Sequence, residues 1–599
     1  MAAPELDAWF DQFSFSYLTS RDGDVHEVVL PFRILVLGDF GVPHDSAVPL
    51  PLVATTITAR GFDESMASHG LHLEIPLESL DEVSSLLAKL DVSAFVLDFQ
   101  CLADFRPDRL LAQEATLNAI HGLLGRLKGQ VRNYQDGSEV PMPALGGLER
   151  QLVQLWLEEA GLARTDERCP EALDRDQLVF MVTDLAAELN LAVNHLLHHP
   201  GFQRIEAAWR GLHLLATQSA GDAYCQIDYV SVTRERLYED LVFSTTLEES
   251  DVFDLLYTRE YGQYGGQPYG AVIGDYSFSH QGRDIDLLQG IGRACQQAHC
   301  VFLGALSPHF FGLDEFSGLS GLSSVQELLE GRPYLRWRAF QKTEQAAYIA
   351  LTLPRILLRD VWRSEKDGIL ERVAAERSSA RGQDSLWGNA AFALGCCLLR
   401  SFRRFRMCTH LTGADGGMVA GLPRVKDPDT GESVFPVEML LSENREADLI
   451  TLGLTPLSVA KANGEVLFHA ANSLRWGYFQ RRGEAGDVPL GARLGAQMPY
   501  LLIILRIAHY LRMIYREQQG STRSLADLRG ELLGWLKRYV SDVESPAPAV
   551  RARRPLKNVS LLESGTDDSG EWHEMKLVIT PHIRYGGNEY ALSVDMNMS

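Results

Sequence analysis

A mixed α/β protein (α+β) of several domains is what three features of the sequence predict. Strand-like runs of apolar and β-branched residues alternate with segments of helical spacing through most of the chain. At 599 residues the chain exceeds one ordinary core, so about two to four domains are expected. Strand-like stretches at the two ends, Phe13 to Leu30 and Met575 to Met596, have too little sequence around them to make sheets alone, and so read as arms.

Taken in order, FSFSY at 13–17 alternates apolar and polar residues, Arg21-Asp22-Gly23-Asp24 is turn-like, and Val25 to Leu37 resumes until Gly38-Asp39. This is a hairpin leading into a core strand. A helix around Asp63 to Ser68, a strand at Leu71 to Ile75, a helix at Leu80 to Leu90 and a strand at Ala94 to Asp98 follow. Pro107 suits the first turn of a helix, and apolar spacing from Leu110 to Leu127 extends the helical pattern. QDGSEVPMPALGG at 135–147 has the composition of a linker. Leu148, Leu152, Leu155 and Trp156 then share one face of a short amphipathic helix, Leu148 to Ala160, which calls for a partner.

Asp174 is placed to cap a helix reaching His199, and Phe202, Ile205, Ala208, Trp209 and Leu212 form the apolar side of the next. After a strand at Cys225 to Val232 comes YGQYGGQPYGAVIGDYSFSH at 261–280, a glycine- and tyrosine-rich loop feeding a short strand, Ala271 to Ile273, that breaks at Gly274-Asp275. Alternation continues to Tyr539, a proline-rich break covers Glu544 to Val550, and strands are expected at Met575 to Thr580 and Tyr590 to Met596. The division expected is an arm (1–30), a first α/β domain (31–128), a linker with a helix (129–173), larger α/β domains (174–543) and a second arm (544–599).

Composition narrows the function classes. A net charge of -23 argues against a nucleic-acid binder, which needs a concentrated basic surface. Apolar runs such as Tyr500 to Leu505 and Ala390 to Leu399 are too short, or too soon interrupted by arginine, to span a bilayer, and the acidic start MAAPELDAWFDQ has no leader pattern, so a cytosolic protein is expected. Eight cysteines without a CxxC pair read as reduced core residues. Phosphate-loop, dinucleotide, GxSxG and HExxH patterns are absent, so no catalytic, cofactor or metal residues are assigned. TGADGGM at 412–418 reads as a loop, His195, His198 and His199 as a surface cluster, Cys396 and Cys397 as buried thiols, and Asp275 with His280 lacks a nucleophile to serve.

Nine sequence blocks from 202 to 556 carry a resemblance. They are FQRIEAAWRGLHLL (202–215), YGQYGGQPYGAVIGDYSFSH (261–280), SPHFFGLDEF (307–316), YLRWRAFQKTEQAAYIALTLPRILLR (334–359), SLWGNAAFA (385–393), GLPRV (421–425), PVEMLLSENREADLITLGLTPL (436–457), AQMPYLLIILRIAHYLRMIYREQQG (496–520) and VRARRPL (550–556). In this order they resemble the large sheath subunit of bacterial type VI secretion, the TssC or VipB family. LPFRILVLGDFG (30–41), GFDESM (61–66), LHLEIPLESLDEV (71–83) and FRPDRLL (105–111) resemble the small sheath subunit, the TssB or VipA family. The chain thus resembles a natural fusion of the two, although the small-subunit family continues through a longer helical region where this sequence has linker.

The resemblance implies a non-enzymatic protomer of a contractile sheath related to phage tails. Such protomers form a helical homopolymer around an inner tube of Hcp protein, on a baseplate, in the bacterial cytoplasm; a non-contractile sheath-derived scaffold is the alternative. Strand-exchange arms to neighbouring protomers would use Phe13, Phe15, Tyr17, Val28, Leu30, Met575, Leu577 and Ile579. In separate large subunits a helix near the N-terminus is bound by the ClpV disassembly ATPase, which maps that role to Leu148, Leu152, Leu155 and Trp156, here internal. Arg551, Arg553 and Arg554, a tight basic run, become candidate inter-protomer contacts, and Arg516, Glu517, Arg523 and Arg529 candidate tube-facing residues.

Overall fold

The computed structural model describes residues 16–21, 24–43, 52–79, 89–90, 92–135, 138–162, 170–263, 265–362, 385–426, 433–460, 464–483, 490–518, 525–543, 550, 554, 556–566, 573–582 and 592–597. A hairpin of β1 (Tyr17–Arg21) and β2 (Asp24–Val28) leads into β3 (Phe32–Gly38). Then come β4 (Thr55–Ile57), α1 (Phe62–His69), β5 (Leu71–Pro76) and β6 (Ala94–Phe99). A short helix at Pro107–Gln113 and four longer ones, α2 (Ala115–Asn133), α3 (Gly147–Glu159), α4 (Arg175–His198) and α5 (Pro200–Ser219), precede β7 (Cys225–Ser231). They are followed by β8 (Tyr269–Phe278), α6 (Gly282–Ala298), β9 (Val301–Leu306) and β10 (Ile349–Leu353). After α7 (Ala390–Phe405), β11 (Thr455–Val459) and β12 (Val466–Phe468), the chain closes with α8 (Met498–Gln518), α9 (Leu525–Lys537) and strands β13 (Leu556–Thr566), β14 (His573–Pro581) and β15 (Leu592–Asn597).

The central sheet has eight strands in the order β12-β11-β10-β9-β8-β3-β7-β4. Its parallel strands are buried on both faces, which is why they read as apolar runs without alternation: Ile34, Leu35, Val36 and Leu37 are all buried, as are Ala271, Val272 and Ile273. β3 lies in the middle, parallel to β7 with Phe32 opposite Cys225 and parallel to β8 with Leu35 opposite Val272. A strand from the first 128 residues therefore sits between two strands of the later portion, and the expected boundary between domains does not divide this sheet. Helices α5 and α7 pack together, so closely that a Cβ on Gly211 would lie 2.4 Å from the ring of Phe392.

β8 is longer than the sequence suggested. It runs through Gly274-Asp275, where its register against β9 shifts between Ile273 and Ser277. The glycine answers to packing and does not end the strand, since a Cβ there would come 2.4 Å from the Phe302 ring. The expected linker carries regular structure: Val140 pairs with Leu173 in a short antiparallel ladder, and α3 packs against α2.

A second core brings the two ends of the chain together. Tyr17 and Leu30 pack with Ile507, Tyr510 and Leu511 of α8, with Leu532 and Trp535 of α9, and with Leu561, Leu577 and Ile579 of the terminal sheet. That sheet, β13-β14-β15, is antiparallel throughout, and β1 and β2 pair antiparallel with each other. The terminal segments thus carry enough strands to pair within the chain, which corrects the expectation that they could not.

Candidate functional site

The loop and strand of 261–280 surround a charged side chain from the other half of the chain. Arg33, on β3, reaches Asp228 on β7 (2.6 Å) and Glu260 (2.7 Å), donates to the Gln267 carbonyl (2.5 Å) and the Tyr269 hydroxyl (2.7 Å), and lies 4.1 Å from the Tyr269 ring centroid. Asp228 also accepts from the Tyr269 hydroxyl (2.9 Å) and from Thr56 on the edge strand β4 (2.6 Å). Charge-assisted bonds of this kind are stronger than neutral ones and geometrically demanding. Burial, with Asp228 adjoining, raises the Tyr269 phenol far above its ordinary range and keeps it a neutral donor. Gly266 makes the loop possible, because a Cβ there would stand 2.0 Å from the Glu260 carbonyl oxygen, and Gly265 has φ +82°.

A second polar joint fixes the N-terminal hairpin to α8. Arg506 donates to the carbonyls of Pro31 (2.9 Å) and Leu30, and the Leu30 N–H donates to the Tyr510 hydroxyl (3.0 Å). From α9 and its end, Trp535 Nε1 donates to the Ser16 carbonyl (2.7 Å), while the Ser16 N–H donates to the Tyr539 hydroxyl (3.3 Å). Of the arm residues named from sequence, Tyr17, Leu30, Leu577 and Ile579 are buried here and Val28 is partly buried. Met575 pairs through its backbone with Glu563 and Met596. Phe13 and Phe15 lie outside the described residues.

The amphipathic helix finds its partner inside the chain. Leu152 and Trp156 on α3 are buried, and Leu148 and Leu155 are partly covered. Trp156 Nε1 donates to Asp184 on α4 (3.1 Å), and its ring meets Phe180 edge-on at 5.7 Å. Phe180 itself is 53% exposed, so apolar surface continues beyond the helix.

The remaining candidates are scattered. Arg516 donates to the carbonyls of Tyr261 (3.1 Å) and Gln263 (2.6 Å), so its guanidinium is engaged within the chain. Arg529 is half-buried and Arg554 exposed, whereas Arg523, Arg551, Arg553 and the Glu517 side chain lie outside the described residues. His199 leaves the histidine group to cap α5, accepting from the Gly201 N–H (3.2 Å). Burial raises the Cys396 and Cys397 thiols, Cys397 to about 12. Asp275 and His280 have different partners, Asn389 for the first and the His309 carbonyl (3.1 Å) for the second. Burial pushes Asp275 up from 3.8 to about 7, with the bond from Asn389 opposing.

Sequence reasoning missed Arg33, Arg506 and the fully buried Glu206, which Arg359 (2.7 Å) and Arg210 (2.8 Å) hold. The signal for the first two was present as a lone arginine inside an apolar run, in FRILVLG and in YLLIILRIAHYL. Such a charge, if the run is buried, needs dedicated partners.

Three family descriptions match the chain: "EvpB/VC_A0108, tail sheath N-terminal domain" over residues 180–475, "EvpB/VC_A0108, tail sheath gpW/gp25-like domain" over 489–598, and "Type VI secretion system, VipA, VC_A0107 or Hcp2" over 12–140. The type VI secretion system sheath protein TssC1 of Pseudomonas aeruginosa is 31% identical over 469 residues, covering 76% of this chain and 91% of that protein. Among solved structures, a chain of the anti-feeding prophage baseplate overlaps with a TM-score of 0.34 at 8% identity, over 64% of this chain and 78% of that one. The sheath tail protein Lin1278 of Listeria innocua overlaps with a TM-score of 0.30 at 7% identity, over 59% and 61%. Overlaps that partial carry no argument; the sequence matches do.

Proposed function

Because the chain belongs to the type VI secretion tail sheath family, with the small (VipA) and large (VipB, TssC) subunits joined in one polypeptide, we infer that it is the structural protomer of a contractile sheath. It polymerises around an inner Hcp tube, on a phage-tail-like baseplate, and contracts to drive the tube outward. The observation that carries this reading furthest is β3, the small-subunit strand, lying between β7 and β8 of the large-subunit portion with Arg33 bound to Asp228, Glu260 and Tyr269. Two subunits that share one sheet move as one body, which is what a force-bearing repeat requires. Fusion fixes their ratio at one to one, since a tether of this length gives an effective concentration on the order of millimolar.

The part assigned to the chain is mechanical, with no turnover of its own. Contraction is a repacking of such rigid units about the terminal segments. Among the described residues those segments keep edges without a second ladder, β15 in one sheet and β1 and β2 in the hairpin, with β13 met only by a bridge between Val540 and Leu556, and an open edge is a template for a neighbour's strand. Recognition by a ClpV-type ATPase at Leu148, Leu152, Leu155 and Trp156 requires α3 to leave its seat on α2 and α4, because that face is occupied in the folded chain. The Arg551, Arg553 and Arg554 run remains a candidate contact between protomers, and Arg529 a candidate contact to the tube. No helix among the described residues is long and apolar enough to cross a membrane, and we place the assembled sheath in the bacterial cytoplasm.

Negative-stain electron microscopy of the purified full chain, with and without added Hcp, tests the reading. Hollow helical tubes are expected. Persistent monomers in both conditions would overturn it in favour of a scaffold that does not polymerise.

A further inference from the structure

At the C-terminal end of α7, a shallow surface cleft of about 520 Å³ is lined by Asp222, Tyr224 and four arginines, Arg400, Arg403, Arg404 and Arg406. Arg406 reaches Asp222 (2.5 Å) and lies 5.1 Å from the Tyr224 ring centroid. Arg400 donates to the Gly416 carbonyl (2.6 Å) and Arg403 to the Gln218 carbonyl (2.8 Å), both neutral acceptors. Arg404 lies over the ring of its neighbour Phe405 (5.1 Å). Among the described residues, Asp222 is the one carboxylate that pairs with this group. Arg403 and Arg404 are exposed.

Cations are favoured at a helix C-terminus, but the macrodipole is worth only about half an elementary charge, far less than the excess gathered here. The excess stands on a chain whose net charge is -23. A second copy of the same chain therefore presents a surplus of carboxylates to it, while nucleic acid is repelled at longer range by the acidic remainder. The cleft is open and its guanidiniums are spread along a helix end, a shape suited to a broad acidic surface and poorly suited to enclosing one small anion.

We propose that this cleft is the docking surface for an acidic segment of a second copy of the chain, with Arg403 and Arg404 making the contact between protomers. The inference rests on the polymer reading above and adds a surface to it. Exposed charges of this kind act mainly through steering and partner choice, so assembly through them weakens as salt rises.

The test uses the full chain with Hcp present, pelleting polymers at low and high salt and checking them by electron microscopy. The variants are Arg403→Glu/Arg404→Glu, the charge-preserving Arg403→Lys/Arg404→Lys, and the milder Arg404→Ala, each first compared with the parent by circular dichroism. The expected result is roughly tenfold less polymer for the Glu pair at low salt, near-parental assembly for the Lys pair, and a smaller loss for Arg404→Ala that disappears at high salt. Should the Glu pair misfold, Arg404→Ala decides by the same criterion. Parental assembly in every folded variant overturns the inference alone. So do normal tubes that merely fail to carry Hcp down, which would assign the cleft to the tube, and normal tubes that merely lose binding of inorganic polyphosphate, which would assign it to a small anion. A parental chain that never polymerises overturns the function reading and this inference together.

Discussion

At the scale of single residues, Arg33 carries more than its place in an apolar strand suggests. Its partners Asp228 and Glu260 have side chains only 2% and 13% exposed, so removing the guanidinium strands two carboxylates. Breaking a buried pair from one side costs about 3–5 kcal/mol. Arg33→Met should therefore lower the denaturant midpoint markedly, and Arg33→Lys less, since it keeps the charge but loses the fork. An unchanged midpoint for Arg33→Met would dismiss the network as the clamp between the two halves. Asp275 offers a pH test. Its carboxyl, raised from 3.8 to about 7 by burial, holds its proton more tightly folded than unfolded. Stability contributed this way is complete below about pH 4 and lost as pH rises through about 7. The carboxyl is buried, so the change across that range is on the order of 4 kcal/mol at most. Asp275→Asn should flatten the urea midpoint between pH 5 and 8 relative to the parent; an unaltered pH profile would show that another group sets it.

At the scale of elements, the glycine loop before β8 makes a graded prediction. Gly265 has open space around its Cβ position but a left-handed φ of +82°, whereas Gly266 faces the Glu260 carbonyl at 2.0 Å. Gly265→Ala should cost about 1–2 kcal/mol of backbone strain. Gly266→Ala should cost more, because the loop must move and take Glu260 and Gln267 away from Arg33. Thermal midpoints ranked the other way would undo this account. The same loop shows what sequence could and could not convey. Its glycines announced a turn, but nothing local said that the turn shapes a seat for an arginine 227 to 236 positions earlier in the chain. Likewise the apolar stripe of α3 was legible from helical spacing, yet its occupant, α4 with Asp184 and Phe180, depended on a contact across the linker. The ends were read as strands, and their pairing within the chain was missed because pairing is a property of several segments at once.

For the whole molecule, alternating strands and helices announced the α/β class, and the ordered sequence blocks announced the two subunits. The order of the strands was not legible. Nothing in FRILVLG says that it belongs between Cys225–Ser231 and Tyr269–Phe278; its burial on both faces says only that it is interior. That placement imposes a timetable on synthesis. The strand that ends up mid-sheet emerges from the ribosome about two hundred residues before either neighbour, an interval of roughly 10–40 s at ordinary elongation rates. For that time an apolar strand with both edges bare has no native partner in its own chain. A cell making this fusion must shelter the strand until the second half arrives, a burden that two separately translated subunits divide between two shorter chains.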